Sequence, residues 1–571
     1  MPSAWDITIV ETLTLLDGEF SEFAQGLAND SYAVWLGAGI SLSKVPGLVD
    51  VAEGVLEHLR ARVDPANDNC RFKRSLDRII GLVNLSADDR KEVDYAKPVA
   101  QWRDRERIAK SLTGVYARML DQHPQGEPAD YLVWDGIGVV ARYADPASSP
   151  GPEHLGLAGL IMEGVVSDAV SANWDGLVEK AIALLAGAGP GVMQVRVLPD
   201  DVKDNTARAR LYKFHGCAVL AGQDEAHYRD RLVGRASQIH GWADKAENKV
   251  IAAKLVDLAV SKSTLMLGLS TQDTNIQNVF VVAQGNLPSH FPTHPPSVIL
   301  SEQDVGADQL SLLQNFYKLD YCGKAAEIEQ GSLLRSYGQS LLPALWLHVL
   351  AAKLEALVAP AAAGLSEAAH KALRADLRSL RDATAFGVAV KDNEAFMLKA
   401  LAWAGRSTSF FRDGKELEAA RGVYTPLSIN SVAKTLADPT VASSGLPQLA
   451  LGLALIGRGK AAGHWTLSLG DPANAKAGAV KVAGPVRFAE IFFAANAQAA
   501  ARLVTAGHAS EDDDAIILHS HEVPPRAVRH PTAAPGRTLR RGRREFSLAE
   551  LAQGEADLDR LMLRFKGEMA I

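Results

Sequence analysis

The sequence predicts an α/β protein in which a doubly wound parallel sheet is followed by a domain of mixed α/β type. Short apolar runs of strand length alternate with helical stretches over residues 1–350, the pattern of a parallel sheet with crossover helices. Glycine or polar residues follow where several of these runs end, and ligands bind at that edge of such sheets. After Leu357 the composition shifts and a second group of strands and helices begins.

Composition and charge limit the class of protein. The 571 residues are 47% hydrophobic and 22% charged, as in globular proteins with more than one core. A net charge of -7 and a pI near 6.1 argue against a protein that coats nucleic acid with its whole surface. The N-terminus lacks a signal-peptide layout, and no apolar run reaches the ~18 residues of a membrane span. We therefore expect a soluble cytoplasmic protein with no membrane segment.

The metal-binding residue types are scattered along the chain. Cys70, Cys217 and Cys322 form no Cys-x-x-Cys pair, so they offer neither a four-cysteine zinc site nor a disulfide framework. His519 and His521 share a strand face near an acidic stretch, but no third ligand stands at a fixed spacing. We expect no zinc and no other metal.

The first predicted strand ends in a glycine turn. Ala33 to Leu36 is apolar, Gly37 and Gly39 follow at once, and a helical pattern begins near Leu48. Glycines let the backbone turn tightly and approach a ligand, so a strand, this turn and a helix form a phosphate-binding arrangement. The third glycine of the dinucleotide fingerprint is missing, and an ordinary turn has the same Gly-x-Gly pattern.

The other predicted elements follow in order. Residues 1–30 form a helix that packs on the sheet, and about 60–150 form a helical insertion between the first two strands. A helix is expected from 333 to 357, broken near Pro343. The remaining strands of the parallel sheet are predicted at 164–171, 192–198, 211–216, 264–273 and 297–302, with helices at 176–185 and 224–260.

The second domain, 358–571, is predicted to combine helices and strands. It contains helices at 366–385 and 494–505 and strands at 463–469, 479–482, 486–493 and 515–520. Its tail, Arg526 to Arg544, is rich in Arg, Pro and Gly. Two hypotheses fit the tail equally: contact with nucleic acid or an acidic partner, and a disordered basic linker.

Three strand ends carry the motifs that suggest a function: Gly37-Ala38-Gly39-Ile40-Ser41, Asn173-Trp174-Asp175 and His215-Gly216. A later strand end, Gly268-Leu-Ser-Thr-Gln-Asp-Thr-Asn275, completes the set. In this order they resemble the sirtuin (Sir2-type) superfamily over about residues 25–350. The Asn-Trp-Asp-Gly-Leu and Ser-Thr-Gln-Asp versions are similar to the bacterial branch tied to antiphage defence.

The resemblance implies a role for each motif in handling NAD. It implies that Asn173 fixes the ribose and the attacking water, that Asp175 engages the nicotinamide carboxamide, and that His215 is a general base near a ribose hydroxyl. A histidine suits that role because its unperturbed pKa near 6.5 leaves it largely neutral at cytoplasmic pH. The residues expected to bind the rest of NAD are Gly37, Ala38, Gly39 and Ser41 at the phosphates, and Gly268, Ser270, Thr271 and Glu302 towards the adenosine end.

Departures from the deacetylase pattern indicate the reaction. The chain has too few cysteines for a zinc ribbon, Ser43 to Leu48 lacks a Phe-Arg pair, and Cys217 to Asp224 lacks the Phe-Gly-Glu strand that pairs with an acyl-peptide. With no acyl acceptor evident, water is the expected nucleophile. We therefore expect an NAD glycohydrolase that releases ADP-ribose and nicotinamide.

Plainer hypotheses compete with this one. Asn173 and Asp175 also suit a helix N-cap, and a lone histidine such as His215 is more often packed than catalytic. Two other functions stay open: a catalytically silent module that senses NAD or ADP-ribose, and a sirtuin-type protein deacylase.

The resemblance also implies regulation and partners. Unrestrained NAD loss kills a cell, so we expect residues 1–350 to be restrained by the helical insertion or by 358–571, through oligomer assembly or occlusion of the pocket. The family suggests an NAD-depleting effector of antiphage or antiplasmid defence. Its expected partners are an Argonaute-type protein, a DNA-translocase ATPase or a phage component, with nucleic acid reached through the partner or the Arg-rich tail.

Overall fold

Two sheets organise the chain. The computed structural model describes residues 3–571 except 65, 68, 84, 87–89, 91–92, 188–190, 389–391, 486 and 524–541. The first sheet has the order β3-β4-β2-β1-β5-β6-β7, and all its neighbouring strands are parallel. Its strands are β1 Tyr32–Leu36, β2 Asp168–Ser171, β3 Met193–Arg196, β4 Ala209–Lys213, β5 Ser263–Leu267, β6 Val298–Ser301 and β7 Leu333–Leu334. The predicted doubly wound parallel sheet is confirmed.

The second sheet is mixed, as predicted, with the order β12-β11-β10-β9-β8. Strands β10, β11 and β12 are parallel, and β8, β9 and β10 are antiparallel. Their bounds are β8 Thr466–Leu469, β9 Val480–Ala483, β10 Phe488–Ala494, β11 Ala515–His519 and β12 Arg544–Ser547. Arg544, predicted to end a basic tail, therefore begins a strand instead, while the tail residues 526–541 lie outside the described residues.

Helices cover both faces of the first sheet, and further helices pack against the second sheet. Their bounds, within the described residues, are α1 Ile9–Asp17, α2 Ser21–Ala28, α3 Leu48–Arg60, α4 Arg71–Gly81, α5 Arg105–Thr113, α6 Tyr116–Leu120, α7 Val139–Tyr143, α8 Pro152–Met162, α9 Leu177–Ala186, α10 Ala218–Gln223, α11 Glu225–Tyr228, α12 Ala236–Ile239, α13 Lys249–Ser261, α14 Thr274–Asn286, α15 Ala307–Ser332, α16 Gly338–Ala361, α17 Glu367–Val388, α18 Asn393–Asp413, α19 Val432–Ala437, α20 Leu446–Ala461, α21 Ala497–Thr505, α22 Leu548–Ala552 and α23 Leu558–Met569. Between β1 and β2 the described residues form helices and turns only.

Three predicted elements differ from the observed ones. The first thirty residues form two helices, because α1 ends at Gly18 and the chain turns there. The predicted helix over 224–260 is divided into short pieces, and Gly241 (φ +65°) adopts a left-handed conformation between two of them. The predicted helix from 333 begins instead with strand β7, while α16 continues through Pro343.

The apolar helix α16 lies at the centre of the packing. By length and composition only, it is the one helix in the described part of the chain that is long and apolar enough to cross a membrane. Two charged side chains, Lys353 and Glu355, interrupt the apolar sequence of this helix. In the structure 67% of its apolar window is buried, and it packs against α8 and α20.

A buried ion pair joins the two halves of the chain. Lys353 of α16 places Nζ 2.6 Å from the carboxylate of Glu163, directly after α8, and neither residue is exposed. The other carboxylate oxygen of Glu163 accepts from the Tyr424 hydroxyl (2.5 Å) and from the Leu427 N–H (2.8 Å). Lys353 also donates to the Ser428 carbonyl, so residues 424–428 are bound to the first sheet's helices.

Replacing Lys353 with Met tests this junction. The change leaves the Glu163 carboxylate buried without its cation, and we expect the free energy of unfolding to fall by about 3–5 kcal/mol. Urea denaturation measures the loss. The control is Lys203→Met, which removes one member of a surface pair with Asp200 and should leave the unfolding midpoint unchanged. Equal stability of Lys353→Met and the wild type would contradict the assigned role.

Candidate functional site

The candidate site lies where the winding of the first sheet changes direction. After β1 the chain adds β2, β4 and β3 on one side and later β5, β6 and β7 on the other. The carboxyl end of β1 is therefore a topological switch point, which is the place where doubly wound sheets bind ligands. The turn Gly37-Ala38-Gly39-Ile40-Ser41 occupies that end, and residues 38–41 form a short 3-10 helix.

The glycines of this turn pack directly against the end of β5. The Gly37 N–H donates to the Leu267 carbonyl and the Gly39 N–H to the Gly268 carbonyl, both at 3.0 Å. A Cβ on Gly268 would lie 2.6 Å from the Gly39 Cα, and Gly268 has φ +57°. These positions therefore need glycine for backbone contact with each other, in addition to any approach of a ligand.

Ser41 connects the glycine turn to the Asn173–Asp175 loop. Its hydroxyl donates to Asp175 Oδ2 at 2.9 Å and is buried. The Asn173 amide nitrogen donates to the Gly37 carbonyl at 3.0 Å and lies 3.4 Å from Ser41 Oγ. Asp175 also accepts from the N–H of Leu177, the first residue of α9, so its carboxylate contacts both Ser41 and the start of that helix.

His215, just after β4, contacts Asp273, a residue of the Gly268–Asn275 motif to which the sequence analysis gave no role of its own. Its Nε2 lies 2.7 Å from Asp273 Oδ2, although the ring N–H is not directed straight at that oxygen. Burial alone would raise the pKa of Asp273, but His215 and hydrogen bonds involving Asn275 hold that pKa below its usual value. The Trp174 indole N–H donates to the His215 carbonyl at 3.0 Å, which joins the loops after β2 and β4.

A large cavity of about 1660 Å³ opens at this edge of the sheet. Of the predicted binding residues, Gly39, Gly268, Ser270 and Glu302 line it. The lining does not include Gly37, Ala38, Ser41, Thr271, Asn173, Asp175 or His215. The cavity therefore touches one of the four residues expected at the phosphates, three of the four expected towards the adenosine and none of the three expected at the nicotinamide ribose; Asp175 and His215 are 6% and 5% exposed.

Five helices begin at this cavity. First-turn or capping residues of α1, α8, α15, α16 and α18 line it, so the positive ends of five helix dipoles face the same space. Most charged side chains around it are acidic: Asp6, Glu153, Glu302, Asp304, Asp308, Asp392 and Glu394. Among the lining residues the cation is Lys44, whose Nζ lies 2.6 Å from Glu394 Oε2. Backbone dipoles are therefore the main source of positive potential for an anion here.

Two more residues lie beside Ser41 but were not predicted from the sequence. His154 and Glu153 lie in the first turn of α8, and both are buried. His154 Nε2 is 3.3 Å from Ser41 Oγ. Burial raises the pKa of the Glu153 carboxyl to about 7. The Gly-Pro pair before them marks a helix start, but the sequence contains no sign that this helix meets the glycine turn.

Metal ligands do not gather in the described part of the chain. No group of three or more His, Cys, Asp or Glu side chains there could hold an ion. His519 and His521 are 3.4 Å apart between Nδ1 and Nε2, and the nearby Glu545 carboxylate lies 3.5 Å from His519 Nε2.

The strand order and the glycine turn at the switch point are those of a doubly wound, Rossmann-like α/β fold. Within it, residues 168–322 match the family described as SIR2-like domain. This part of the chain is therefore similar to SIR2-like domains of the sirtuin type, a family with NAD-related functions. The match contains the Asn173, His215 and Gly268 strand ends, whereas Gly37–Ser41 precedes it. No curated protein matches the chain.

A Gly268→Ala variant tests the glycine contact. The new Cβ would collide with the Gly39 backbone at a left-handed φ, and we expect the free energy of unfolding to fall by about 1–3 kcal/mol or more. Thermal unfolding measures this. The matched control, Gly285→Ala in α14, has open space around its Cβ and should be neutral or stabilising. An unchanged midpoint of thermal unfolding in Gly268→Ala would exclude the close contact between Gly268 and the Gly39 backbone.

Proposed function

We propose that the protein is an NAD glycohydrolase that cleaves NAD to ADP-ribose and nicotinamide. One observation carries the proposal. Ser41 joins the glycine turn to Asn173 and Asp175 at the switch point of a SIR2-like sheet. A diphosphate on the turn would therefore lie beside the side chains expected to hold the nicotinamide ribose.

The cavity suits the remaining parts of NAD. The diphosphate would meet the Gly39 backbone and the converging helix N-termini, and the adenosine end would extend towards Ser270 and Glu302. A carboxylate such as Glu302 accepts hydrogen bonds from ribose hydroxyls. Burial raises the pKa of Glu302, so a hydroxyl donor is a favourable partner for its charged form.

The reaction breaks the bond between ribose C1′ and the nicotinamide nitrogen through an oxocarbenium-like cation. The Asn173 nitrogen is directed at the Gly37 carbonyl, which can only accept, so Oδ1 is the atom left to orient water. Asp175 would accept from the carboxamide and stabilise the ribosyl cation. Water adds to C1′, its proton passes to a base, and nicotinamide leaves as a neutral molecule.

His215 is the proposed base, and Asp273 its partner. A carboxylate 2.7 Å from Nε2 stabilises the imidazolium that forms when the ring accepts a proton. The proton would come from a ribose hydroxyl or from the attacking water. Asp273 is in this respect a positioning residue for His215, supplied by the loop that also carries Ser270.

Asn173→Ala and His215→Ala test the assignment. Each removes a group that acts on the reacting ribose, and we expect turnover to fall by about 10²–10⁴-fold. Release of ADP-ribose and nicotinamide, followed by chromatography, measures it. The controls are Asn286→Ala and His227→Ala, both exposed and outside the cavity, which should keep wild-type turnover.

The same assay separates the competing functions. NAD that is bound and recovered intact by the wild-type protein, both alone and with candidate partners, favours a silent sensor. Loss of an acyl group from a labelled peptide in the presence of NAD favours a deacylase. Wild-type turnover in both alanine variants would contradict the site assignment.

We propose further that the protein is an NAD-depleting effector of antiphage or antiplasmid defence that is restrained at rest. Two features support restraint: Asn173, Asp175 and His215 are not among the residues that line the cavity, and Lys44 pairs with Glu394. Glu394 is in the first turn of α18, so a residue of 358–571 binds the lysine that a diphosphate would use. The proposed triggers are an Argonaute-type protein, a DNA-translocase ATPase or a phage component, acting on this region or through oligomer assembly in the cytoplasm.

Glu394→Gln tests this restraint. A partly exposed pair is worth at most about 1 kcal/mol, so releasing Lys44 should raise the basal rate of NAD hydrolysis or NAD affinity up to about fivefold. The rate at subsaturating NAD is the measurement. The control is Glu367→Gln, which removes an exposed glutamate that does not line the cavity. A rate that falls or stays constant in Glu394→Gln would contradict the restraint.

A further inference from the structure

A buried histidine contacts the site from a helix that lies outside the matched domain. His154 in the first turn of α8 is 0% exposed, and its two ring nitrogens have different partners. The Gly151 N–H donates to Nδ1 at 3.1 Å, and Nε2 lies 3.3 Å from Ser41 Oγ. A backbone N–H can only donate, so Nδ1 must be unprotonated and Nε2 carries the hydrogen of the neutral ring.

The fixed tautomer sets the direction of the next hydrogen bonds. The His154 Nε2–H must donate to Ser41 Oγ, which leaves the Ser41 hydroxyl hydrogen free to donate elsewhere. That hydrogen is directed at Asp175 Oδ2, 2.9 Å away. The Asn173 amide, 3.4 Å from the same Ser41 oxygen, approaches it with a nitrogen as well. Ser41 Oγ therefore faces two donors, the His154 Nε2–H and the Asn173 amide, and its own hydroxyl hydrogen is donated to Asp175.

We propose that His154 is a positioning residue for NAD hydrolysis, which acts by holding the Ser41 hydroxyl towards Asp175. This inference rests on the proposed function, and it adds a residue that lies outside the SIR2-like match. Without the Nε2–H, Ser41 Oγ could rotate and accept from another donor, and Asp175 would lose a hydrogen bond that fixes its carboxylate.

The environment keeps His154 in the neutral form that this arrangement needs. Burial lowers the pKa of His154 to about 4, with Asp175 opposing that effect and Lys44 adding to it. The Glu153 carboxylate is 3.7 Å from Nδ1 and is the other titratable group in contact with the ring. A second proton would place an N–H of the ring against the Gly151 N–H, so the charged ring does not fit the observed contacts.

The two nitrogens have separable roles, which gives a matched pair of variants. In His154→Asn the shorter amide can reach the place of Nδ1 and still accept from Gly151, but the donor to Ser41 is lost. In His154→Gln the amide nitrogen can reach the place of Nε2 and donate to Ser41, but the helix cap is lost. A capping role predicts damage in the Gln variant, and a positioning role predicts damage in the Asn variant.

We expect kcat of His154→Asn to fall about tenfold or more, with a smaller loss of melting temperature than in His154→Gln and little change in KM for NAD. His154→Gln should recover most of kcat and lose melting temperature. In a Ser41→Ala background the Asn substitution should have no further effect on kcat, because His154 acts through Ser41. Full kcat in His154→Asn, equal loss in both variants, or independent effects of positions 41 and 154 would overturn the proposal.

A readout without turnover distinguishes this proposal from the proposed function. The imidazole ¹⁵N spectrum of His154, assigned by its loss in His154→Asn, should show a neutral ring protonated at Nε2 down to about pH 5, and the Nε2 signal should shift in Ser41→Ala. If the wild type does not hydrolyse NAD either alone or with the proposed triggers but shows this spectrum, the proposed function fails and the hydrogen-bond arrangement stands. A ring protonated at Nδ1, or charged at neutral pH, overturns the arrangement whatever the activity.

Discussion

The contact between the ends of β1 and β5 is the constraint on which the rest of the site depends. Gly37 and Gly39 lie against Gly268 so closely that no side chain fits between the two backbones. Since all strands of a parallel sheet present their carboxyl ends at one edge, the pairing of β1 with β2 and of β2 with β4 places the loops after β2 and β4 at the edge that holds this turn. Ser41 then joins the turn to Asp175 by a hydrogen bond.

The C-terminal half is part of this arrangement and not an independent appendage. Helix α8 contacts Ser41 through His154 at its beginning, and Glu163 at its end binds Lys353 and the 424–428 segment. Eleven helical residues span about 16 Å, so one rigid element joins the glycine turn to the second half. A buried carboxylate tolerates little movement of its partners, because an unpaired charge in the interior is costly.

The local features of the fold could be predicted because they depend on neighbouring residues. Apolar runs, glycine turns and helical spacing located six of the seven strands of the first sheet and four of the five strands of the second. The missed strands, β7 and β12, are short or begin among basic residues, so their own sequences carry little strand pattern. Each of these segments forms a strand because it pairs with its neighbour in the sheet, β7 with β6 and β12 with β11.

The sequence by itself determined the fold class, the order of the motifs and the strand ends that supply Asn173, Asp175 and His215. It could do so because strand patterns and turn residues act over a few positions. Only the tertiary structure decided that His215 meets Asp273, that His154 meets Ser41 and that Lys44 meets Glu394. Those pairs form between segments brought together by crossover helices, and no spacing along the chain encodes which side chains then come within hydrogen-bonding distance.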